Sequence, residues 1–222
     1  LVAHGTRKQR GVAMIGDLAE RVSAALGETV HVSFVDVLGP SPSELLGSLS
    51  GPAVVVPAFL SRGYHVRTDI PAQVEACGHP DVTVTEALGP GPQLVRVLAD
   101  RLVQSGWRRE DSVILAAAGT SDAAAQRDLH TMATWLSAVT GSRVELAFAA
   151  TALPRVRDAV AELRARRPGR VVVASYLLSD GLFQDRLRTC GADVVTEPLG
   201  THPGLVRLVA NRFSRARYLL AA

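Results

Sequence analysis

Two imidazoles and a carboxylate stand out early in the chain. His4 closes an apolar run in "LVAHGT" (1–6), and Asp36 ends another in "VHVSFVDVLGP" (30–40). His65 follows a third run in "VVVPAFLSRGYHVRTDIP" (54–71). Imidazole and carboxylate together suit borderline first-row ions such as Fe²⁺ and Co²⁺. They are not the ligand set of a closed structural zinc site, which takes four protein ligands, often thiolates. An imidazole also titrates near neutral pH, so it can accept a proton under working conditions. The residue types therefore point to an open site that takes a divalent ion and passes it on. Each residue also has a structural account. A histidine ending a strand often serves packing alone, and an acid before a turn can cap the next segment. Only their convergence in the fold favours chemistry.

The second half of the chain repeats these phrases with the polar groups removed. "AGT" (118–120) answers "HGT" (4–6), with Ala118 in place of His4. "VELAFAATALP" (144–154) answers 30–40, with Ala150 in place of Asp36. "VVVASYLLSDG" (171–181) answers 54–63, and just beyond it Phe183 stands where His65 does. Cys77-Gly78 matches Cys190-Gly191, and "EALGPGPQLVRVLADRL" (86–102) matches "EPLGTHPGLVRLVANRF" (197–213). Gly5, Thr6, Phe34, Pro40 and Gly63 all keep identical counterparts. A collinear match of this length is a duplication. Loss of three polar groups from one copy, with its packing residues kept, predicts one working site and one inert wall.

The elements that position these residues alternate between β and α. Apolar runs at 1–4, 29–37, 53–60 and 82–88 read as strands, and segments 11–26, 42–49, 69–77 and 92–104 read as helices. Buried β-branched strands separated by helices make a parallel sheet covered on both faces. The fold class is therefore α/β, with two tandem lobes of four mainly parallel strands flanked by helices. The expected domains are 1–106 and 107–222, joined near "QSGWRRED" (104–111), with an active-site cleft between the lobes. Ligands of open α/β sheets lie beyond the carboxyl ends of the strands, where His4, Asp36 and His65 all fall. Glu86 and Glu197, kept in both halves, read as scaffold, and the matched cysteines read as packing. His31 reads as structural, while His79, His130 and His202 receive no role.

Composition narrows the class. The chain has 222 residues, 47% apolar and 20% charged, with a net charge of +3. Its arginines are scattered along helical segments such as 155–170, without a dense basic block or interleaved aromatics, so no nucleic-acid partner is expected. Two cysteines make no disulfide framework. No apolar run reaches the roughly 18 residues of a membrane helix and no leader-like segment opens the sequence. A cytoplasmic protein without a membrane partner is expected, and a monomer, since both lobes lie on one chain.

"HGT", "FVD" followed by Pro40, and above all the pattern P-x-F-L-x-x-G-x-H-V-x-x-D-I-P within 57–71 resemble the sirohydrochlorin chelatase family, over essentially the whole chain. The resemblance implies a chelatase-like fold and a lyase that inserts Fe²⁺ or Co²⁺ into sirohydrochlorin, on the way to sirohaem or cobalamin. Two protons leave, and the metal is a substrate, with no organic cofactor. It implies that His4 and His65 bind metal and act at the ring, assisted by Asp36, where Glu is the more usual residue. For the carboxylate-rich macrocycle, substrate contacts are expected from Gly5-Thr6 and Gly119-Thr120, read as opening helices whose free N–H groups attract anions. Arg7, Lys8, Arg10, Arg62 and Arg67 are expected to meet its carboxylates. The rival reading is a non-catalytic tetrapyrrole or metal carrier on the same scaffold. A ligand-closing sensor is a weaker third.

Overall fold

The alternation of strand and helix read from the sequence is present throughout residues 1–220, which the computed structural model describes. The strands are β1 (Val2–Ala3), β2 (Ser33–Phe34), β3 (Ala53–Val55), β4 (Val82–Val84), β5 (Ser112–Ala117), β6 (Val144–Phe148), β7 (Val171–Tyr176) and β8 (Val194–Val195). The helices are α1 (Gln9–Leu26), α2 (Pro42–Gly47), α3 (Ile70–Ala76), α4 (Pro92–Gln104), α5 (Ala123–Thr140), α6 (Val156–Arg166), α7 (Leu182–Arg188) and α8 (Pro203–Leu220). No helix among the described residues is long and apolar enough to cross a membrane.

The chain forms two compact units, Leu1–Gly89 with the segment from Thr201 onward, and Pro90–Gly200. In the second, a four-stranded parallel sheet runs in the order β6-β5-β7-β8. Ile114, Ala116 and Val173 from that sheet pack against Val156, Val160 and Leu163 of α6. In the first, β1 pairs with β2 and β3 with β4, again parallel. A single bridge at Val2 and Pro57 joins the two pairs, through Val2 N–H to the Val56 carbonyl (3.0 Å) and Ala58 N–H to the Val2 carbonyl (2.7 Å). The first unit thus repeats the strand order of the second. Its ladders are shorter than the apolar runs predict. β3 stops two residues before Pro57, which has no N–H to donate, whereas the matching Ala174 lies inside the six-residue β7.

The expected boundary at 106/107 follows the sequence repeat, but the compact units do not. α4 closes the first repeat in sequence and packs on α5 and β7 of the second unit. α8 closes the second repeat and packs on α1 and β3 of the first. Each unit therefore carries the closing helix of the other repeat. The two helices are similar enough ("PQLVRVLADRL" and "PGLVRLVANRF") to occupy equivalent places. The retained acids follow the exchange: Arg212 on α8 pairs with Glu86 at 2.9 Å, while Arg101 on α4 lies in the field of Glu197 and donates to the Leu199 carbonyl at 3.1 Å. Glu86 thus pairs with the closing helix of its unit, whereas the ion pair of Glu197 is with Arg188 of α7, at 3.1 Å.

Candidate active site

His4 leaves the end of β1 and is exposed. The next residue must be glycine on two counts. Gly5 has φ +101°, and a Cβ there would run into the Asp36 carbonyl. The close approach is fixed by backbone, since Asp36 N–H donates to the His4 carbonyl at 3.0 Å. The second unit repeats the frame with its side chains blanked. Gly119 has φ +103° against Thr151, and Ala150 N–H donates to the Ala118 carbonyl at 2.9 Å.

His65 opens a π-helical turn, His65–Asp69, in which Ile70 N–H reaches back five residues to the His65 carbonyl. Pro71 accounts for the widened turn. It supplies no N–H, and in a regular helix its ring would press on the carbonyl four residues earlier. Such turns recur at functional sites. This one places His65 and Asp69 on one face, with His65 Nδ1 2.8 Å from Asp69 Oδ2. Asp69 Oδ1 accepts from Gln73 Nε2 at 2.9 Å. Partial burial pushes the Asp69 carboxyl up, but the hydrogen bonds from Gln73 and His65 and the charges of His65 and His4 outweigh it and hold the group below its ordinary range. Phe59, Tyr64 and His4 surround the His65 ring at centroid distances of 5.8, 5.7 and 4.9 Å.

The structure therefore brings His4 and His65 together, edge to face with an interplanar angle of 86°. Asp36 does not join them. Its Oδ1 accepts from the Val37 N–H at 2.7 Å, so it caps its own turn. Among the described residues no group of three or more His, Cys, Asp or Glu side chains is gathered to hold a metal ion. Asp69 was not singled out by the sequence reading, although the i, i+4 spacing of His65 and Asp69 in "HVRTD" was the available signal. The second copy carries Phe183 in place of His65 and five fewer residues before the matched cysteine.

Gly5-Thr6 and Gly119-Thr120 do not open helices, as α1 begins at Gln9 and α5 at Ala123. The threonines build the preceding turns instead, Thr6 Oγ1 accepting from Lys8 N–H (3.2 Å) and Thr120 Oγ1 from Asp122 N–H (3.1 Å). At α5 the Asp122 carboxylate takes the Ala124 and Ala125 N–H groups, so those donors are occupied. At α1 the matching residue is Lys8, whose side chain makes no cap. Arg7, Lys8 and Arg10 stand exposed around the start of α1, and Arg62 and Arg67 stand exposed on either side of His65.

A cavity of about 700 Å³ opens in the second unit at the matching strand ends, lined by Ala150, Thr151, Arg155, Arg157, Arg186 and Cys190 among others. Arg155 and Arg157 belong to the segment read from sequence as a solvated helix face. Arg186 lies over the Phe183 ring, 5.7 Å from its centroid. Three guanidinium-bearing side chains around one concavity suit a carboxylate-bearing ligand.

The CbiX family model matches this chain twice, over residues 1–105 and 112–216. The chain is 25% identical over 231 residues to the sirohydrochlorin ferrochelatase of Priestia megaterium, covering 95% of this chain and 87% of that protein. It is 28% identical over 125 residues to the sirohydrochlorin cobaltochelatase of Methanothermobacter thermautotrophicus, covering 46% of this chain and 87% of that shorter protein. Among solved structures, Bacillus subtilis SirB with Fe³⁺ superposes with a TM-score of 0.80 at 21% identity, covering 97% of this chain and 93% of SirB. CbiX, described as the terminal enzyme of sirohaem biosynthesis in denitrifying bacteria, superposes with a TM-score of 0.72 at 18% identity, covering 97% of each chain.

Proposed function

Because the chain belongs to the CbiX family, we propose that it is a sirohydrochlorin chelatase that inserts Fe²⁺ in preference to Co²⁺. The relative spanning nearly all of this chain is a ferrochelatase, whereas the cobaltochelatase matches under half of it, and this supports iron. The observation that carries the reading is the approach of His4 to His65, 4.9 Å between ring centroids, at the ends of neighbouring strands.

Metallation asks two things of a protein. The ion must exchange its water for ring nitrogens, and the pyrrole N–H protons must leave. Two adjacent imidazoles can share these tasks, one holding the ion during ligand exchange and the other accepting a proton. Asp36 contributes its carboxylate to its own turn and is assigned a supporting place beside His4 rather than a fixed ligand role. Arg7, Lys8, Arg10, Arg62 and Arg67 are assigned to substrate carboxylates, with Gly5 and Thr6 shaping the approach. Within the second unit taken by itself, Arg155, Arg157 and Arg186 line a cavity suited to anions, whereas the N–H groups that open α5 are taken by Asp122. The metal enters as substrate, and one chain suffices as the working unit in a cytoplasmic setting.

The test is the visible spectrum of sirohydrochlorin with Fe²⁺ or Co²⁺ and substoichiometric protein. Repeated turnover, faster with Fe²⁺, is the expected result. A spectral change that stops at one equivalent of protein would mark a carrier instead.

A further inference from the structure

Behind His65 stands a layer of side chains that metal insertion does not itself call on. Asp69 Oδ2 sits 2.8 Å from His65 Nδ1, and Gln73 Nε2 holds the other Asp69 oxygen at 2.9 Å. An ionised carboxylate only accepts hydrogen bonds, so the ring nitrogen facing it carries the proton. We propose that Asp69 and Gln73 are positioning residues that lock neutral His65 in its Nδ1–H tautomer, leaving the Nε2 lone pair as the group offered at the site. The inference rests on the chelatase reading for what that lone pair meets, but not for the tautomer itself.

Three observations converge on the lock. The π-helical turn, with its five-residue bond from Ile70 to His65, sets the spacing that brings imidazole and carboxylate into contact. Gln73 keeps its Oε1 buried without a hydrogen-bond partner while its Nε2 serves Asp69. A buried unpaired acceptor is unfavourable, so this side chain is held in place for the bond it makes. Finally, Phe59, Tyr64 and His4 pack around the ring and oppose its turning over.

His4 differs. Its Nδ1 lies 3.4 Å from the Gly5 carbonyl, and among the described residues its ring makes no hydrogen bond to a carboxylate. The two imidazoles therefore divide the work: His65 is the oriented donor of a lone pair, and His4 is the more exposed partner that can reorient. A carboxylate behind a histidine fixes its tautomer and raises its basicity toward metals.

The experiment is a two-bond ¹H–¹⁵N correlation spectrum of the metal-free, ¹⁵N-labelled full chain, at a pH where both imidazoles are neutral. His65 should show a protonated Nδ1 and an unprotonated Nε2. Asp69→Leu, which removes the carboxylate, should move His65 toward the Nε2–H form. It should also weaken Co²⁺ binding, titrated without tetrapyrrole, by about 10-fold or more. Asp69→Asn keeps an acceptor oxygen and should retain most of the Nδ1–H form. A wild-type His65 protonated at Nε2 would overturn the proposal, and this measurement needs no variant to fold. An unchanged tautomer in a folded Asp69→Leu protein would overturn it equally. A protein that binds sirohydrochlorin without metallating it would refute the chelatase reading and leave the tautomer result intact.

Discussion

The rings of His4 and His65 meet edge to face with their centroids 4.9 Å apart, although 60 residues separate them in the chain. Adjacency of the first and third strands makes this possible: the bridge at Val2 and Pro57 aligns the two strand ends that release the histidines. The equivalent strands of the second unit, β5 and β7, pair over six residues and release Ala118 and Phe183. One backbone plan is thus used twice, and only one copy carries imidazoles at these two places. The contrast supports the proposed site more firmly than either histidine alone.

In the proposed site the glycine after His4 counts as much as the histidine. In Gly5→Ala, a Cβ would meet the Asp36 carbonyl from a backbone at φ +101°, so the two loops must part. Strain of this kind costs about 1–3 kcal/mol. Gly5→Ala should lose metallation and stability together, whereas Gly119→Ala should lose stability and keep a larger share of turnover. Thermal unfolding and turnover measured on both variants check this, and equal activity losses would count against it.

Helix exchange between the repeats predicts an unusual response to truncation. Both tryptophans, Trp107 and Trp135, lie in the unit Pro90–Gly200. A chain ending at Gly200 lacks α8, which packs on α1 and β3 of the other unit. It should lose helical circular dichroism and Co²⁺ binding while keeping native tryptophan emission. Emission shifted to that of the unfolded chain would mean that α8 supports the wrong unit in this account.

Asp193 ties the start of β7 to α6. Its Oδ2 accepts from Val171 N–H at 2.8 Å and from Arg164 Nη2 at 2.9 Å. The Val171 N–H, aided by the Arg164 guanidinium, holds its carboxyl below the ordinary value of 3.8. A group depressed in the folded state stabilises above its unfolded pKa, and that contribution is lost as pH falls through its folded one. Asp193→Asn should therefore cost about 1 kcal/mol near neutral pH, allowing for solvent screening of the half-exposed pair. The gap from wild type should close as pH drops below about 3.8. Urea unfolding across that range measures it, and a gap independent of pH would contradict the assignment.

Much of this architecture was legible in the sequence because the chain states it twice. The match of "HGT" to "AGT" and of His65 to Phe183 points to the proposed site, and the apolar pattern at 92–104 gives α4 its observed limits, Pro92–Gln104. What was not legible has a physical reason in each case. The two closing helices share their apolar pattern, so the sequence could not say which unit each would join. Asp36 was equally compatible with a ligand and a turn cap, and its bond to Val37 N–H is the cap. Gly-Thr was read as a helix start because free N–H groups and a turn have the same sequence signature. Asp69 went unnoticed because its partner lies within one turn of helix, where an i, i+4 pair reads as ordinary surface. The arginines of the second-unit cavity come from the N-cap and first turn of α6 and from α7, far apart in sequence.

The central claim is that the paired imidazoles of one copy perform the reaction while the other copy needs none. Multiple-turnover metallation of sirohydrochlorin by His4→Ala and by His65→Ala tests it directly. Folding should persist in both, since Ala118 and Phe183 occupy these places in the second unit. Turnover should fall by about 10²-fold or more in each. Wild-type rates in either folded variant would contradict the account.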